Sequence, residues 1–106
     1  MSAPPDPDPN LEYLCGAYFH QDFDLYGDTA AAVLDTFAAD ALERVVGARD
    51  AAAELLASDT SEEELAATLH RAGLGYGPAY EDMTHRQWLE LVVERLTARL
   101  DERQGR

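Results

Sequence analysis

The sequence predicts an all-α, single-domain bundle of about five helices. Proline nearly vanishes after residue 9, with Pro78 the only later one. Alanine-rich stretches carry apolar residues at i, i+3, i+4 and i+7, the period of an amphipathic helix. Asp40 and Glu43, Thr60 and Glu63, and Thr84 and Gln87 each have the i, i+3 spacing of a capping box. No internal repeat and no β-type alternation interrupts this grammar. The 106 residues suit one domain, since ~100–150 is the usual size. A chain of that length buries roughly 65% of its unfolded surface, enough for a modest core.

Residues 1–9 hold Pro4, Pro5, Pro7 and Pro9 without apolar periodicity and read as a disordered, Pro/Asp-rich lead-in. The helical domain is expected over 10–102, with 103–106 as a tail. Asn10 is the expected N-cap of a first helix whose stripe is Leu11, Leu14, Cys15, Tyr18 and Phe19, ending near His20–Asp22. Asp28 or Thr29 caps a second helix burying Val33, Leu34 and Phe37. The Asp40–Glu43 pair suggests a break there, although a helix running through Asp40 competes with it. A third helix then carries Leu42, Val45, Val46, Ala53, Leu55 and Leu56. The Thr60 box opens a fourth helix with Leu65, Ala66 and Leu69, and Gly73 is its natural stop. Residues 74–83 hold two glycines and one proline, which predicts a tight aromatic loop. The Thr84 box opens the last helix, where Trp88, Leu89, Leu91, Val92, Leu96 and Leu100 form a broad apolar face to about residue 101.

Charge narrows the function. The chain carries 21 acids and 8 basic residues, all arginine, for a net charge of −13. Residues 1–82 account for −14 and residues 83–106 for +1, and no arginine precedes Arg44. Such a surface repels phosphate backbones and anionic lipid, so nucleic acid and membrane are not the expected partners. No run approaches the ~18 apolar residues of a membrane span. The single Cys15 excludes an internal disulfide. The acidic, proline-rich start is the opposite of a secretory signal, so the cytoplasm is the expected location. A basic protein partner fits this charge, and plain solubility explains it equally well.

No phosphate-binding glycine loop, Ser/His/Asp set or Cys-x-x-Cys pair is present, and the expectation is a non-enzyme with no cofactor and no metal. A metal reading could draw on His20, Asp22 and Asp24. A calcium loop fits poorly, because Tyr26 and Val33 stand where oxygen ligands are required. His20 at a helix end can instead complement the dipole there. Cys15 and His20, at i and i+5 of an α-helix, face ~140° apart and do not meet. Trp88 reads as core. Tyr76, Tyr80, Glu81 and Asp82 share one loop, and tyrosines flanked by acids suit contact with a basic surface. Packing of that loop on the last helix is the alternative.

At Leu14-Cys15-Gly16-Ala17-Tyr18-Phe19-His20-Gln21-Asp22-Phe23-Asp24 the chain resembles the small α-helical CdiI-type immunity proteins of contact-dependent growth inhibition systems. The likeness runs over residues 11–100, and its signature positions are Gly16, Tyr18, Phe19, His20, Gln21, Asp22 and Phe23. Cys15-Gly16-Ala17 departs from a more usual Gly-Gly pairing, and Phe23 stands where Trp is common. The resemblance implies an inhibitor that binds a cognate toxin domain, often a nuclease and hence basic, and occludes its active or substrate-binding surface. Asp22, Asp24 and Asp28 in the first loop and Tyr76, Tyr80, Glu81 and Asp82 in the second are the candidate toxin contacts. A metal-binding helical protein built on His20, Asp22 and Asp24, or an acidic adaptor module, remains the alternative function.

Overall fold

The computed structural model describes residues 8–19 and 28–103. Five α-helices follow in order: α1 (Pro9–Tyr13), α2 (Ala30–Phe37), α3 (Leu42–Ala57), α4 (Glu62–Arg71) and α5 (His85–Arg103). A π-helical turn, Leu14–Tyr18, prolongs α1, and a 3₁₀ turn, Pro78–Glu81, lies between α4 and α5. No strand occurs among the described residues, so the all-α expectation holds. None of the described helices is long and apolar enough to cross a membrane.

Helix α5 is the hub. It packs against α2, α3 and α4, while α1 lies on α3. Trp88, Leu89, Val92, Leu96 and Leu100 give α5 its buried face, as its periodicity predicts. Phe19, Phe37, Leu34, Leu65 and Leu69 complete the core from the other elements. Burying a Leu or Phe side chain contributes roughly 1.5–3 kcal/mol, so these residues supply the main drive to collapse.

The start and stop signals are largely where the sequence places them. Thr29 Oγ1 accepts from the Ala32 N–H at 3.1 Å and caps α2. Thr84 and Gln87 form a reciprocal box at α5, with bonds of 2.9 and 3.1 Å. Gly73 ends α4 at φ +101°, a conformation strained for any residue with a Cβ.

Several local expectations are corrected. Asp8 caps α1, its Oδ1 accepting from the Asn10 N–H at 2.8 Å. Pro9 then takes the first helical position, where its fixed φ is already helical. Asn10 instead lays its side chain over Gly47 of α3. The break between α2 and α3 is real, but Asp40 and Glu43 make no box there: α3 has Ala41 at its N-cap and no side-chain cap bond. The α4 box is one residue later than expected and joins Ser61 to Glu64. Both Thr60–Glu63 and Ser61–Glu64 have the i, i+3 spacing, and the chain uses the second. The α3 stripe is also finer-grained than expected. Val45, Ala48, Ala51 and Ala52 are buried, Leu42 and Ala53 are exposed, and Leu55 and Leu56 are half-buried.

The π turn was not legible in the sequence. The Phe19 N–H reaches back to the Leu14 carbonyl at 3.3 Å, an i→i+5 bond. In an α-helix residues five apart face ~140° away from each other, whereas the wider π turn brings Tyr13 and Tyr18 to one side. Their hydroxyls donate to the same oxygen, Asp40 Oδ2, at 2.9 and 2.8 Å. The expectation that Cys15 and His20 do not meet lies outside the described residues. For Cys15 itself, burial decides the chemistry.

Candidate functional site

The loop of residues 74–82 is held at three points. Its entry is fixed by Gly73 and by the Leu74 N–H bonded to the Leu69 carbonyl at 3.0 Å. Its middle is tied to Phe19, whose carbonyl accepts from Gly75 N–H at 2.8 Å and Tyr76 N–H at 2.9 Å. The Phe19 ring is buried edge-to-face on Trp88 and tilted against Tyr76, with centroids 5.1 and 5.3 Å away. Its exit is tied to α2: Glu81 Oε2 accepts from the first α2 amide, Ala30 N–H, at 2.8 Å. A carboxylate at that position satisfies an orphan donor and complements the helix dipole.

These ties join two stretches that look separate in the sequence. Phe19 immediately precedes residues 20–27, and Asp28 immediately follows them. Phe19 on one side, and Ala30 two residues past Asp28 on the other, are thus tied to the same 74–82 loop. Asp28, Tyr80 and Asp82 are exposed around this junction. Tyr80 is 83% exposed, with its ring lying beside Gly77. Asp82 takes φ +59°, which a short polar side chain tolerates.

Tyr76 and Glu81 face the other way. Tyr76 is 3% exposed and donates its hydroxyl to Glu81 Oε2 at 2.5 Å. Burial first, and then the Glu81 carboxylate, push the Tyr76 hydroxyl pKa upward, so it stays a proton donor. Half of the loop is thus packed on Phe19 and the start of α2, whereas the packing alternative named the last helix. The candidates Asp22 and Asp24, and the signature residues His20, Gln21 and Phe23, lie outside the described residues. Of the other signature positions, Phe19 is core, Tyr18 is half-buried on Asp40, and Gly16 lies beside Gly73.

Arg44, Arg86, Arg95, Arg99 and Arg103 are engaged within the fold. Arg95 grips Asp35 through two bonds, Nε–Oδ1 at 3.1 Å and Nη2–Oδ2 at 2.5 Å. Arg99 adds a bond to Asp35 Oδ1 at 3.2 Å and one to Glu102 at 2.8 Å. Arg103 donates to the carbonyls of Ala38 and Asp40 just beyond α2, at 2.8 and 2.9 Å. Arg86 donates to the Leu56 and Thr60 carbonyls, and Arg44 lies 4.0 Å over the Tyr13 ring. The cations thus tie helices together, while carboxylates such as Glu12, Asp28, Glu63 and Asp82 remain exposed. The clasp on Asp35 was missed in the sequence, although Arg95, Arg99 and Arg103 at i, i+4 and i+8 mark one face of α5.

Among the described residues three carboxyls are held below the usual range. Burial alone would raise Asp35, but its bonds to Arg95 and Arg99 more than offset that. For Asp40 the Ala41 N–H leads, followed by the Tyr18 hydroxyl. For Glu62 burial is again outweighed, here by the His85 and Arg86 amides and the His85 ring. That carboxylate caps α5 from another helix, with His85 N–H at 2.7 Å and Arg86 N–H at 3.1 Å.

Nothing in this geometry supports nucleophilic chemistry. Cys15 is buried, and desolvation pushes its thiol up to about 12, so it carries no thiolate at neutral pH. Among the described residues no group of three His, Cys, Asp or Glu side chains could hold a metal. What the loop presents is an exposed tyrosine, Tyr80, and an exposed carboxylate, Asp82, on a braced backbone, an arrangement suited to binding.

A protein-family model described as CdiI immunity protein matches residues 8–96. Comparison with curated proteins and with solved structures returns no match.

Proposed function

The chain belongs to the CdiI immunity protein family, which gives it a role in immunity against a toxin, and on that premise we propose that it neutralises a basic, nuclease-type toxin domain by covering its active or substrate-binding surface. It acts by binding, without catalysis, in the cytoplasm of the cell that makes it. The contact surface is the junction of the two loops, with Asp28, Tyr80 and Asp82 facing the toxin and Asp22 and Asp24 on the segment between Phe19 and Asp28.

The observation that carries this reading is the division of charge. Arg86, Arg95, Arg99 and Arg103 bond carboxylates and carbonyls of the fold itself, and Asp82 stands exposed on the 74–82 loop with the exposed Tyr80. A surface of that sign competes for the cationic patch on which a nuclease would hold phosphate, and it speeds encounter beyond the neutral ~10⁵–10⁶ M⁻¹s⁻¹. The same sign disfavours nucleic acid as a direct ligand of this chain.

The test is binding to the toxin domain encoded beside this gene, measured by calorimetry at low and high salt. The expected result is tight binding whose association slows as salt rises, together with loss of toxin activity in the complex. No binding, or binding that leaves the toxin fully active, would overturn the proposal.

A further inference from the structure

Glu81 is one of the acids that the sequence offers as a toxin contact, yet its carboxylate has two partners inside the fold. A single oxygen, Oε2, accepts from the Ala30 N–H at 2.8 Å and from the Tyr76 hydroxyl at 2.5 Å. The first partner lies 51 residues away at the start of α2, and the second belongs to a side chain buried against Phe19. Thr29 already caps α2 locally, through the Ala32 N–H. What Glu81 adds is a fixed place for the start of that helix relative to the 74–82 loop.

Three exposed residues take their positions from this pair of bonds. Tyr80 and Asp82 are the chain neighbours of Glu81. In the 3₁₀ turn Pro78–Glu81 successive residues point about 120° apart, so a Glu81 drawn inward leaves Tyr80 facing out. Asp28 lies two residues before Ala30, at most about 7 Å of chain away. One carboxylate oxygen thus sets the distance between the Asp28 side of the surface and the Tyr80 and Asp82 side. Side chains in place before encounter cost less to order on binding.

We propose that Glu81 is a positioning residue for toxin binding: it holds Asp28 and Tyr80 in register across the two loops and does not itself touch the toxin. The proposal rests on the immunity reading and adds to it which residue sets the geometry of the surface. It predicts that binding follows the hydrogen-bond acceptor at position 81 and not the charge there.

Glu81→Gln keeps a side-chain oxygen that can accept both bonds and removes the charge, whereas Glu81→Ala removes both. Tyr76→Phe removes the hydroxyl of a residue only 3% exposed, out of a partner's reach. Circular dichroism and Trp88 fluorescence confirm folding, and calorimetry against the toxin domain encoded beside this gene reads affinity. The expected result is binding about 10-fold weaker for Glu81→Ala, about 5-fold weaker for Tyr76→Phe, and within about 3-fold of wild type for Glu81→Gln. Wild-type affinity in Glu81→Ala would overturn the proposal, because nothing the toxin reads would then depend on the brace. Equal losses in Glu81→Gln and Glu81→Ala would overturn it too, because the toxin would then be reading the charge. If Glu81→Ala does not fold, Tyr76→Phe decides: a loss of about 5-fold supports the proposal, and wild-type affinity overturns it. These outcomes leave the immunity reading standing, whereas a wild-type chain that fails to bind the domain overturns that reading and this proposal with it.

Discussion

Tyr13, Tyr18 and Asp40 form one tyrosine–acid group, and Tyr76, Tyr80, Glu81 and Asp82 form another. In the first, both hydroxyls and the Ala41 amide converge on one carboxylate, and Arg103 bonds the Asp40 carbonyl. Four parts of the chain meet there: the extended first helix, the α2–α3 junction, α3 and the end of α5. The second group is split. Tyr76 and Glu81 turn inward and brace the loop on α2, which frees Tyr80 and Asp82 to face outward. Composition does not distinguish a structural tyrosine–acid pair from an interface one. What separates them is whether the hydroxyl has a carboxylate within its own fold.

The sharpest way to break this contrast is at Asp40. Asp40→Ala removes an acceptor shared by three donors and is expected to cost about 3 kcal/mol, since bonds to charged groups run near 1.5–3 kcal/mol each and are not additive. Urea unfolding followed by fluorescence of Trp88, the only tryptophan, measures it. The pH dependence has a definite sign. Asp35, Asp40 and Glu62 have folded pKa values below their ordinary ones, so unfolding takes up protons in acid. The stability they contribute is complete above the unfolded values of about 3.9 for Asp and 4.3 for Glu, and it is lost as pH falls through the lower folded values. The expected result is little change from pH 7 to about 5 and a steep loss below about 4. Asp40→Asn should make that loss shallower.

Gly73→Ala ranks next. A Cβ at φ +101° is strained, and it would come within 3.3 Å of Gly16 Cα. A cost of about 2 kcal/mol is expected, again from urea unfolding. Because Gly73 sets the entry of the 74–82 loop, toxin binding should weaken as well, which Asp40→Ala should not cause in the protein that remains folded.

Ser61→Ala should cost about 1 kcal/mol, the usual value of an N-cap, and Thr60→Ala less than about 0.5 kcal/mol. The reverse order, read from thermal or urea unfolding, would return the α4 cap to the register expected from sequence.

Legibility followed the range of the interaction. Thr29, Gly73 and the Thr84–Gln87 box act within four residues, and the sequence shows them directly. The α4 box was placed one residue early, at Thr60, because three glutamates in a row give both Thr60 and Ser61 a glutamate at i+3. Asp40 was misread because its partners lie 27 and 22 residues away, and because a π turn, invisible to a 3.6-residue period, brings them together. The loops at 19–28 and 74–82 were each readable as candidates from residue type. That Phe19 and Ala30, on either side of the first, both bond the 74–82 loop was not readable, since the Phe19 carbonyl and the Glu81 carboxylate reach across the fold. Likewise Tyr76 and Tyr80 look equivalent in sequence, and only packing against Phe19 decides which one is buried.

Tyr80→Ala should have the smallest effect on stability, within about 0.5 kcal/mol, because its ring is outside the core. Its effect on binding tests the account most directly. Calorimetry with the neighbouring toxin domain, run in parallel on Tyr80→Ala and Tyr13→Phe, is expected to show about 30-fold weaker binding for the first, a loss of about 2 kcal/mol. Tyr13→Phe should bind as the wild type does. Wild-type affinity in Tyr80→Ala, or an equal loss in both variants, would contradict the assignment of the interface to the outward half of the loop.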